Sequence, residues 1–268
     1  MKKRRQQRNI RRISSRYWHW SLFWLTLAVA AIACSHRLVP TSPEAPRETG
    51  SGQLELPSTR ATDTLIYNAE GRYTLLYRPH AKVPQWVAYK LTSSDLTGAS
   101  DRSNAFAPDP RLSRYGWPSA THSDYHGSGY DRGHLLPSAD RTDSEASNRS
   151  TFLYSNMAPQ HPRLNRGAWK VLEEHLRRST SGYDTLYIVV GTVLATPAPQ
   201  TIGDRVAVPA LFFKAIVFRR GDIFESKAYV MPNDESRLSG RTFSDFEVSV
   251  DSVERLSGLD LFPLIPGV

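Results

Sequence analysis

Cysteine is almost absent from this sequence. Cys34 is the only one, so no disulfide bond can form within the chain. The Cys-x-x-Cys and His-Glu-x-x-His patterns of common zinc sites are also missing, as is the Gly-x-Ser-x-Gly turn of serine hydrolases. These absences argue against a disulfide-stabilised scaffold, a zinc-motif enzyme and a serine hydrolase.

Acidic residues are absent from residues 1–16, which contain eight Lys or Arg. The rest of the chain has 26 basic and 26 acidic residues, so the net charge of +8 comes from this tail alone. The overall charge therefore does not indicate nucleic-acid binding. Any affinity for phosphate must come from local clusters of positive charge.

Residues 17–34 form an apolar run that follows the basic tail and ends in small residues. This order is typical of a secretory signal, although an uncleaved membrane anchor fits as well because about 17 apolar residues is the short end of a span. Cys34 follows the sequence AAIA, which resembles a bacterial lipobox, so we expect lipidation at Cys34. Each interpretation predicts an extracytoplasmic protein at a membrane surface.

Two further regions follow the leader. Residues 35–62 are rich in Pro, Ser, Thr and Gly, which predicts a flexible linker. Residues 63–268 form the predicted globular domain. Its strands are expected within 72–79, 85–91, 151–159, 184–192, 209–220 and 226–233, and its helices at 163–179 and from Val250 to about Leu259. Without a regular strand–helix alternation, the pattern predicts an α+β fold.

The sequence DRGH, at residues 131–134, lies in a polar stretch from 92 to 150 that predicts a long loop. A loop of this length in a domain of this size is usually functional. Imidazole titrates near neutral pH, so His134 is suited to act as a general base. Taken alone, however, a histidine in a polar loop is more often simply a solvated surface residue.

The predicted helix at 163–179 carries Asn165, Trp169 and Glu173 at spacings of four, which would place them on one side. Trp169 is expected in the core. An amide oxygen and a carboxylate are ligands that Mg²⁺ accepts, so Asn165 and Glu173 are candidate metal-site residues. The alternative for Glu173 is an exposed i, i+4 ion pair with Arg177.

These segments, taken in order, resemble the DNA/RNA non-specific endonuclease family, the ββα-metal or His-Me finger nucleases that include endonuclease G. The resemblance rests on DRGH at 131–134, on Asn165, Trp169 and Glu173 about 30 residues later, and on Arg102 before them. The stretches SNMAPQ, FFKAIV, AYVMPN and VSVDSVERLSGLDLF also resemble family segments. The resemblance covers roughly residues 70–265 and implies an α+β ββα-metal fold with a mainly antiparallel sheet and flanking helices.

The resemblance also implies roles for individual residues. His134 would be the general base, Asn165 the direct ligand of Mg²⁺, with Mn²⁺ as a substitute, and Glu173 a group that holds metal-bound waters. Arg102 and Arg132 would contact the phosphate, with help from Arg177, and Asp131 would be structural. The implied activity is hydrolysis of DNA and RNA to 5′-phosphate ends, and many relatives are homodimers.

Two alternatives remain open at this level. One is a zinc site formed from the residues His122, Asp124, His126, Asp131 and His134, whose spacing matches no common zinc motif. The other is a catalytically inactive, surface-tethered nucleic-acid-binding protein with the same fold.

Overall fold

A computed structural model describes residues 53–268 of the chain. Residues 1–34, including Cys34, and most of the predicted linker lie outside the described residues. Residues 54–58 contact the domain, since Leu54 and Leu56 pack against buried apolar side chains and the Ser58 amide donates to the Asp260 carbonyl at 2.8 Å. The folded part therefore begins before residue 63.

Seven strands form one sheet in the order β1-β2-β3-β6-β9-β10-β11, and all neighbouring pairs are antiparallel. The large-sheet strands are β1 Leu65–Asn68, β2 Tyr73–Arg78, β3 Val83–Leu91, β6 Thr185–Val193, β9 Leu211–Arg220, β10 Ile223–Pro232 and β11 Glu247–Val248. The predictions for β2, β3, β6, β9 and β10 are confirmed. Two small two-stranded sheets pair β4 Asp131–His134 with β5 Met157–Gln160, and β7 Thr201–Ile202 with β8 Val206–Ala207.

Both faces of the large sheet are covered, which explains its nearly continuous apolar strands. On β9, Phe212 and Ile216 face one apolar core, while Phe213 and Ala215 face the other, because side chains alternate along a strand. Helix Val250–Ser257 and the chain after it cover the second face. The first face carries β4, β5 and the helix Ala168–Ser179.

The described helices are α1 Pro110–Ser113, α2 His122–Tyr125, α3 Glu145–Ser150, α4 Pro162–Asn165, α5 Ala168–Ser179 and α6 Val250–Ser257. The last confirms the predicted C-terminal helix. None of the helices among residues 53–268 is long and apolar enough to cross a membrane.

The predicted single helix at 163–179 is wrong in one respect, because it breaks at Gly167 into α4 and α5. A Cβ atom at Gly167 would collide with the backbone carbonyl of Arg163, so only glycine permits this approach. Asn165 therefore ends α4, whereas Trp169 and Glu173 lie on α5. The expectation that Trp169 is in the core is confirmed, since its side chain is buried.

The prediction of an unbroken loop at 92–150 is also wrong. Residues 131–134 form strand β4, which pairs with β5 so that Gly133 lies opposite Ala158 and His134 opposite Met157. A side chain at Gly133 would collide with that of Gln160, which explains the glycine in DRGH. The predicted strand at 151–159 begins only at Met157, after a short 3₁₀ turn. Strands β4 and β5 followed by α4 and α5 form a ββα unit.

Candidate active site

A cavity of about 450 Å³ lies where the ββα unit meets the loop that contains Arg102. The cavity is lined by every predicted site residue among residues 53–268, namely Arg102, Arg132, His134, Asn165, Glu173 and Arg177. Ser138, Arg166 and Lys170 are also in its lining. Segments far apart in the chain are thus brought together around one concave site, although Asn165 and Glu173 belong to different helices.

His134 ends strand β4, and its ring packs edge-on against Phe152 and Phe106, at centroid distances of 4.9 and 5.9 Å. Its Nε2 atom is buried and has no hydrogen-bond partner. Burial is the main cause that lowers the pKa of His134 to about 3, and the positive charge of Arg102 lowers it further. A hydrogen bond with the backbone of Arg132 acts in the opposite direction but is weaker. The imidazole is therefore neutral near pH 7, with one nitrogen that has no partner among residues 53–268.

Asp131, the first residue of the DRGH motif, binds two residues that line the cavity. Asn165 Nδ2 donates to Asp131 Oδ2 at 2.9 Å, and Arg166 donates to both carboxylate oxygens at 2.6 and 2.8 Å. Burial would raise the pKa of Asp131, but the hydrogen bonds from Arg166 and Asn165 outweigh it and lower the pKa. The carboxylate is ionised and holds the amide nitrogen of Asn165, which leaves the amide oxygen Oδ1 free of this contact.

Glu173 lies on α5 with only 12% of its side-chain surface exposed, and its nearest cation is Lys214 Nζ at 3.5 Å. Burial raises the pKa of Glu173 to about 7, although the charges of Lys214 and Arg177 act to lower it. Arg177 instead forms its salt bridge with Asp140, with 2.8 Å between Nη1 and Oδ1. The alternative of an exposed Glu173–Arg177 ion pair is therefore wrong.

Arg102 and Arg132 are positioned by neutral groups. Arg102 donates to Ser138 Oγ at 2.8 Å and to Asn104 Oδ1 at 2.9 Å, and its guanidinium lies over the Phe152 ring. The guanidinium of Arg132 lies 3.8 Å from the centroid of Phe106. Within residues 53–268 neither arginine forms a salt bridge with a carboxylate. Two uncompensated positive charges thus border the cavity, which suits an anionic ligand.

Sequence reasoning missed two buried residues that contact the site residues. Lys214 lies next to Glu173, and Asp140 binds Arg177. Lys214 is fully buried on β9, and its amine lies 4.9 Å from the centroid of Trp169. Asp140 accepts hydrogen bonds from Arg177 and from Tyr89. A signal for Lys214 was present, because a single lysine interrupts the apolar run FFKAIV. Buried lysines almost always have a specific partner.

The zinc alternative finds no support among residues 53–268, where no group of three or more His, Cys, Asp or Glu side chains could hold a metal ion. His122 and His126 line a neighbouring cavity of about 420 Å³, which also shares Arg102, Arg132, Asn165 and Arg166 with the first cavity. The two rings lie 5.9 Å apart, and His122 Nδ1 lies 3.4 Å from Arg132 Nη1. These histidines border the site but are not part of a metal cluster.

The fold is an antiparallel α+β fold that contains a ββα unit. Its cavity brings together a neutral imidazole, an oriented amide, a carboxylate and two guanidinium groups that have no carboxylate partner among residues 53–268. This combination is typical of phosphodiester hydrolases. The chain belongs to the DNA/RNA non-specific endonuclease family, whose model matches residues 52–267. It is thus a nuclease that hydrolyses phosphodiester bonds and has nucleic acid as its substrate. The family predicted from the sequence is confirmed.

Several characterised proteins are similar over most of their length. Mitochondrial endonuclease G of Bos taurus is 36% identical over 254 residues, covering 89% of this chain and 82% of the relative. Mitochondrial endonuclease G of Homo sapiens is 38% identical over 208 residues, covering 72% of this chain and 68% of the relative. A nuclease of Nostoc sp. is 36% identical over 211 residues, covering 75% of each chain.

The fold has a close match among solved structures. The match is a chain in the crystal structure of the EndoG/EndoGI complex, a structure that describes how EndoG is inhibited. That chain has a TM-score of 0.68 and 33% sequence identity with this protein. The match covers 80% of this chain and 92% of that chain. Together with the antiparallel sheet, it confirms the predicted α+β, ββα-metal fold.

Proposed function

We propose that this protein is an exported, Mg²⁺-dependent endonuclease that cleaves DNA and RNA without regard to the sugar, with His134 as general base and Asn165 as the direct metal ligand. The observation that carries the proposal is the single cavity lined by His134, Asn165 and the two arginines Arg102 and Arg132. The buried Nε2 of His134 has no hydrogen-bond partner among the described residues and is the proposed proton acceptor. The coarser activity follows from family membership, and the residue roles are the proposal.

The residues present fit a hydrated Mg²⁺ or Mn²⁺ ion. Asp131 binds the amide nitrogen of Asn165, so the amide oxygen is the atom available to a cation. Glu173 is a second oxygen donor in the same lining and would hold water molecules of the ion. When bound, the ion would supply positive charge that stabilises the leaving oxygen.

The reaction adds water across the bond between phosphorus and the 3′ oxygen. His134 accepts a proton from the attacking water, because its imidazole is neutral near pH 7 and its Nε2 has no other partner. The oxygen of that water bonds to phosphorus while the bond from phosphorus to the 3′ oxygen breaks. The 3′ oxygen takes a proton from solvent water, and His134 returns its own proton to solvent. The products are a 5′-phosphate and a 3′-hydroxyl.

Arg102 and Arg132 would bind non-bridging phosphate oxygens, where a planar guanidinium fits well. Ser138 and Asn104 fix the orientation of Arg102 before substrate binds, which reduces the entropy lost on binding. Arg177 also lines the cavity, where its salt bridge with Asp140 holds it in place, and would assist the two arginines. Contacts to the phosphate backbone carry little base or sugar information, which agrees with activity on both DNA and RNA.

Export forms part of the proposal and rests on the sequence of residues 1–34. A basic tail, an apolar run and Cys34 in a lipobox-like context support a lipid-anchored protein outside the cytoplasm. An extracytoplasmic location would also keep a non-specific nuclease away from the genome of its own cell.

The test uses the full-length protein in mild detergent, incubated with plasmid and with RNA in the presence of Mg²⁺ or EDTA. We expect both substrates to be cut with Mg²⁺ and both to remain intact with EDTA. Intact substrates with Mg²⁺, together with tight DNA binding, would support the inactive binding protein instead.

A further inference from the structure

A second cavity of about 450 Å³ adjoins the catalytic cavity, and its chemistry is not used by the mechanism above. It lies between the start of α5 and the loop at 238–241, and its lining includes Arg163, Arg166 and Arg241 but no acidic residue. Arg166 belongs to the lining of both cavities, so the two are adjacent. A nucleic-acid strand with its scissile phosphate in the catalytic cavity would have neighbouring phosphates within reach of the second.

Two arginines of this second cavity, Arg163 and Arg241, retain charge for a ligand, whereas Arg166 is paired with Asp131. Arg241 donates to the backbone carbonyl of Asp245 at 2.5 Å and stacks 3.9 Å from the centroid of Phe246, which positions its guanidinium without a carboxylate partner. Arg163 pairs with Glu235 at 3.0 Å, but their side chains are 65% and 55% exposed. An ion pair this exposed contributes little and is readily exchanged for a phosphate.

The rest of the lining suits the other parts of a nucleic-acid strand. Pro162, Ala168 and Leu238 provide apolar surface, and Ser239 provides a hydroxyl group. Guanidinium groups beside small apolar surface suit contacts to the sugar–phosphate backbone of a strand.

We propose that Arg163 and Arg241 form a phosphate subsite for the substrate strand next to the scissile phosphate, with Arg166 at the junction of the two cavities. This inference rests on the proposed nuclease function. It predicts that substrates with several phosphates gain affinity from this cavity, whereas a substrate with one phosphate group does not.

The test compares the double variant Arg163→Ala/Arg241→Ala with wild type and with the control Arg178→Ala/Arg205→Ala. The control removes the same charge from exposed positions that line neither cavity. Activity is measured with Mg²⁺ on bis(4-nitrophenyl) phosphate, which has a single phosphate, and on duplex DNA at several salt concentrations.

For duplex DNA we expect the subsite variant to have a KM about tenfold higher at unchanged kcat. The slope of log(kcat/KM) against log[salt] should become shallower by up to about 1.8, since each neutralised phosphate contributes about 0.9. Hydrolysis of bis(4-nitrophenyl) phosphate should not change. The variant Arg163→Lys/Arg241→Lys should retain most of the wild-type salt slope, because it keeps the charge.

Equal KM and salt slope in the subsite and control variants would overturn the subsite. An equal loss on bis(4-nitrophenyl) phosphate would also overturn it, because the two arginines would then act through the catalytic cavity. Failure of the wild-type protein to cut either substrate would instead refute the proposed function, so the two failures are distinguishable.

Discussion

The side-chain amide of Asn165 donates to Asp131 at 2.9 Å, across 34 positions of sequence, and so links the end of α4 to the start of β4. Arg166 completes the contact by neutralising the same carboxylate. The first residue of the DRGH motif thus orients the amide that is the metal ligand in the proposed mechanism, which gives Asp131 itself no step.

Asp131→Ala is expected to lower activity 10- to 100-fold and to raise the Mg²⁺ concentration needed for half-maximal activity, because Asn165 loses the contact that orients it. Mg²⁺ titrations of plasmid cleavage measure both effects. Arg166→Ala is the matched comparison, since it keeps the Asp131–Asn165 bond, and its Mg²⁺ midpoint should stay near that of wild type. A similar shift in both variants would show that the amide contact is not the cause.

Lys214→Met is expected to lower activity at pH 7, because the buried Glu173 would lose its nearest cation and be harder to ionise. The activity profile should shift towards higher pH. Stability measured by urea denaturation should show a coupling of about 0.5–3 kcal/mol between Lys214→Met and Glu173→Gln in a double-mutant cycle. Additive effects in this cycle would show that the two side chains act independently.

The loss of folding stability at acid pH should depend in part on His134. Burial lowers its pKa to about 3 in the folded state, from about 6.5 in an unfolded chain. Its neutral form therefore contributes stability that is fully present above about pH 6.5 and is lost as the pH falls towards 3. His134→Asn should lose less stability than wild type between pH 7 and pH 4 in urea denaturation. Equal losses would mean that the histidine is readily protonated in the folded protein.

Cys34→Ala should release the protein from membranes if a lipid on this residue is its anchor. The measurement is the distribution of protein between membrane and soluble fractions after cell lysis. Retention of the variant in the membrane fraction would indicate the apolar segment at 17–34 as the anchor.

The sequence predicts the parts of the fold that depend on local pattern. Alternating and β-branched runs identify β2, β6 and β9. The residues that meet in the cavity were identified through the family resemblance carried by DRGH, Asn165 and Glu173. The break at Gly167 was missed because it depends on a close approach to the Arg163 carbonyl, which spacing alone does not indicate. Strand β4 was missed because it is short and polar and is stabilised by pairing with β5, 23 or more residues away.

The lysine in FFKAIV marks a buried charge, but the partners of the residues that support the site were beyond sequence reasoning. Lys214 reaches Glu173 because even-numbered residues of β9 face α5, a relationship that requires the sheet and the helix to be packed together. The partner of Arg177 is Asp140, not the Glu173 expected from helical spacing, because the 3₁₀ turn at Ser138–Asp140 brings a buried carboxylate closer.

The central claim is that His134 and Asn165 act on the same phosphodiester in one step. Its most direct test is single-turnover cleavage of plasmid DNA with Mg²⁺ by His134→Ala, Asn165→Ala and the double variant, each with DNA affinity measured alongside. We expect each single variant to lose at least about 100-fold in rate while still binding DNA, and the double variant to lose little more than the worse single variant, since residues that act as a unit are not additive. A wild-type rate in either single variant, or losses that simply multiply, would contradict the account.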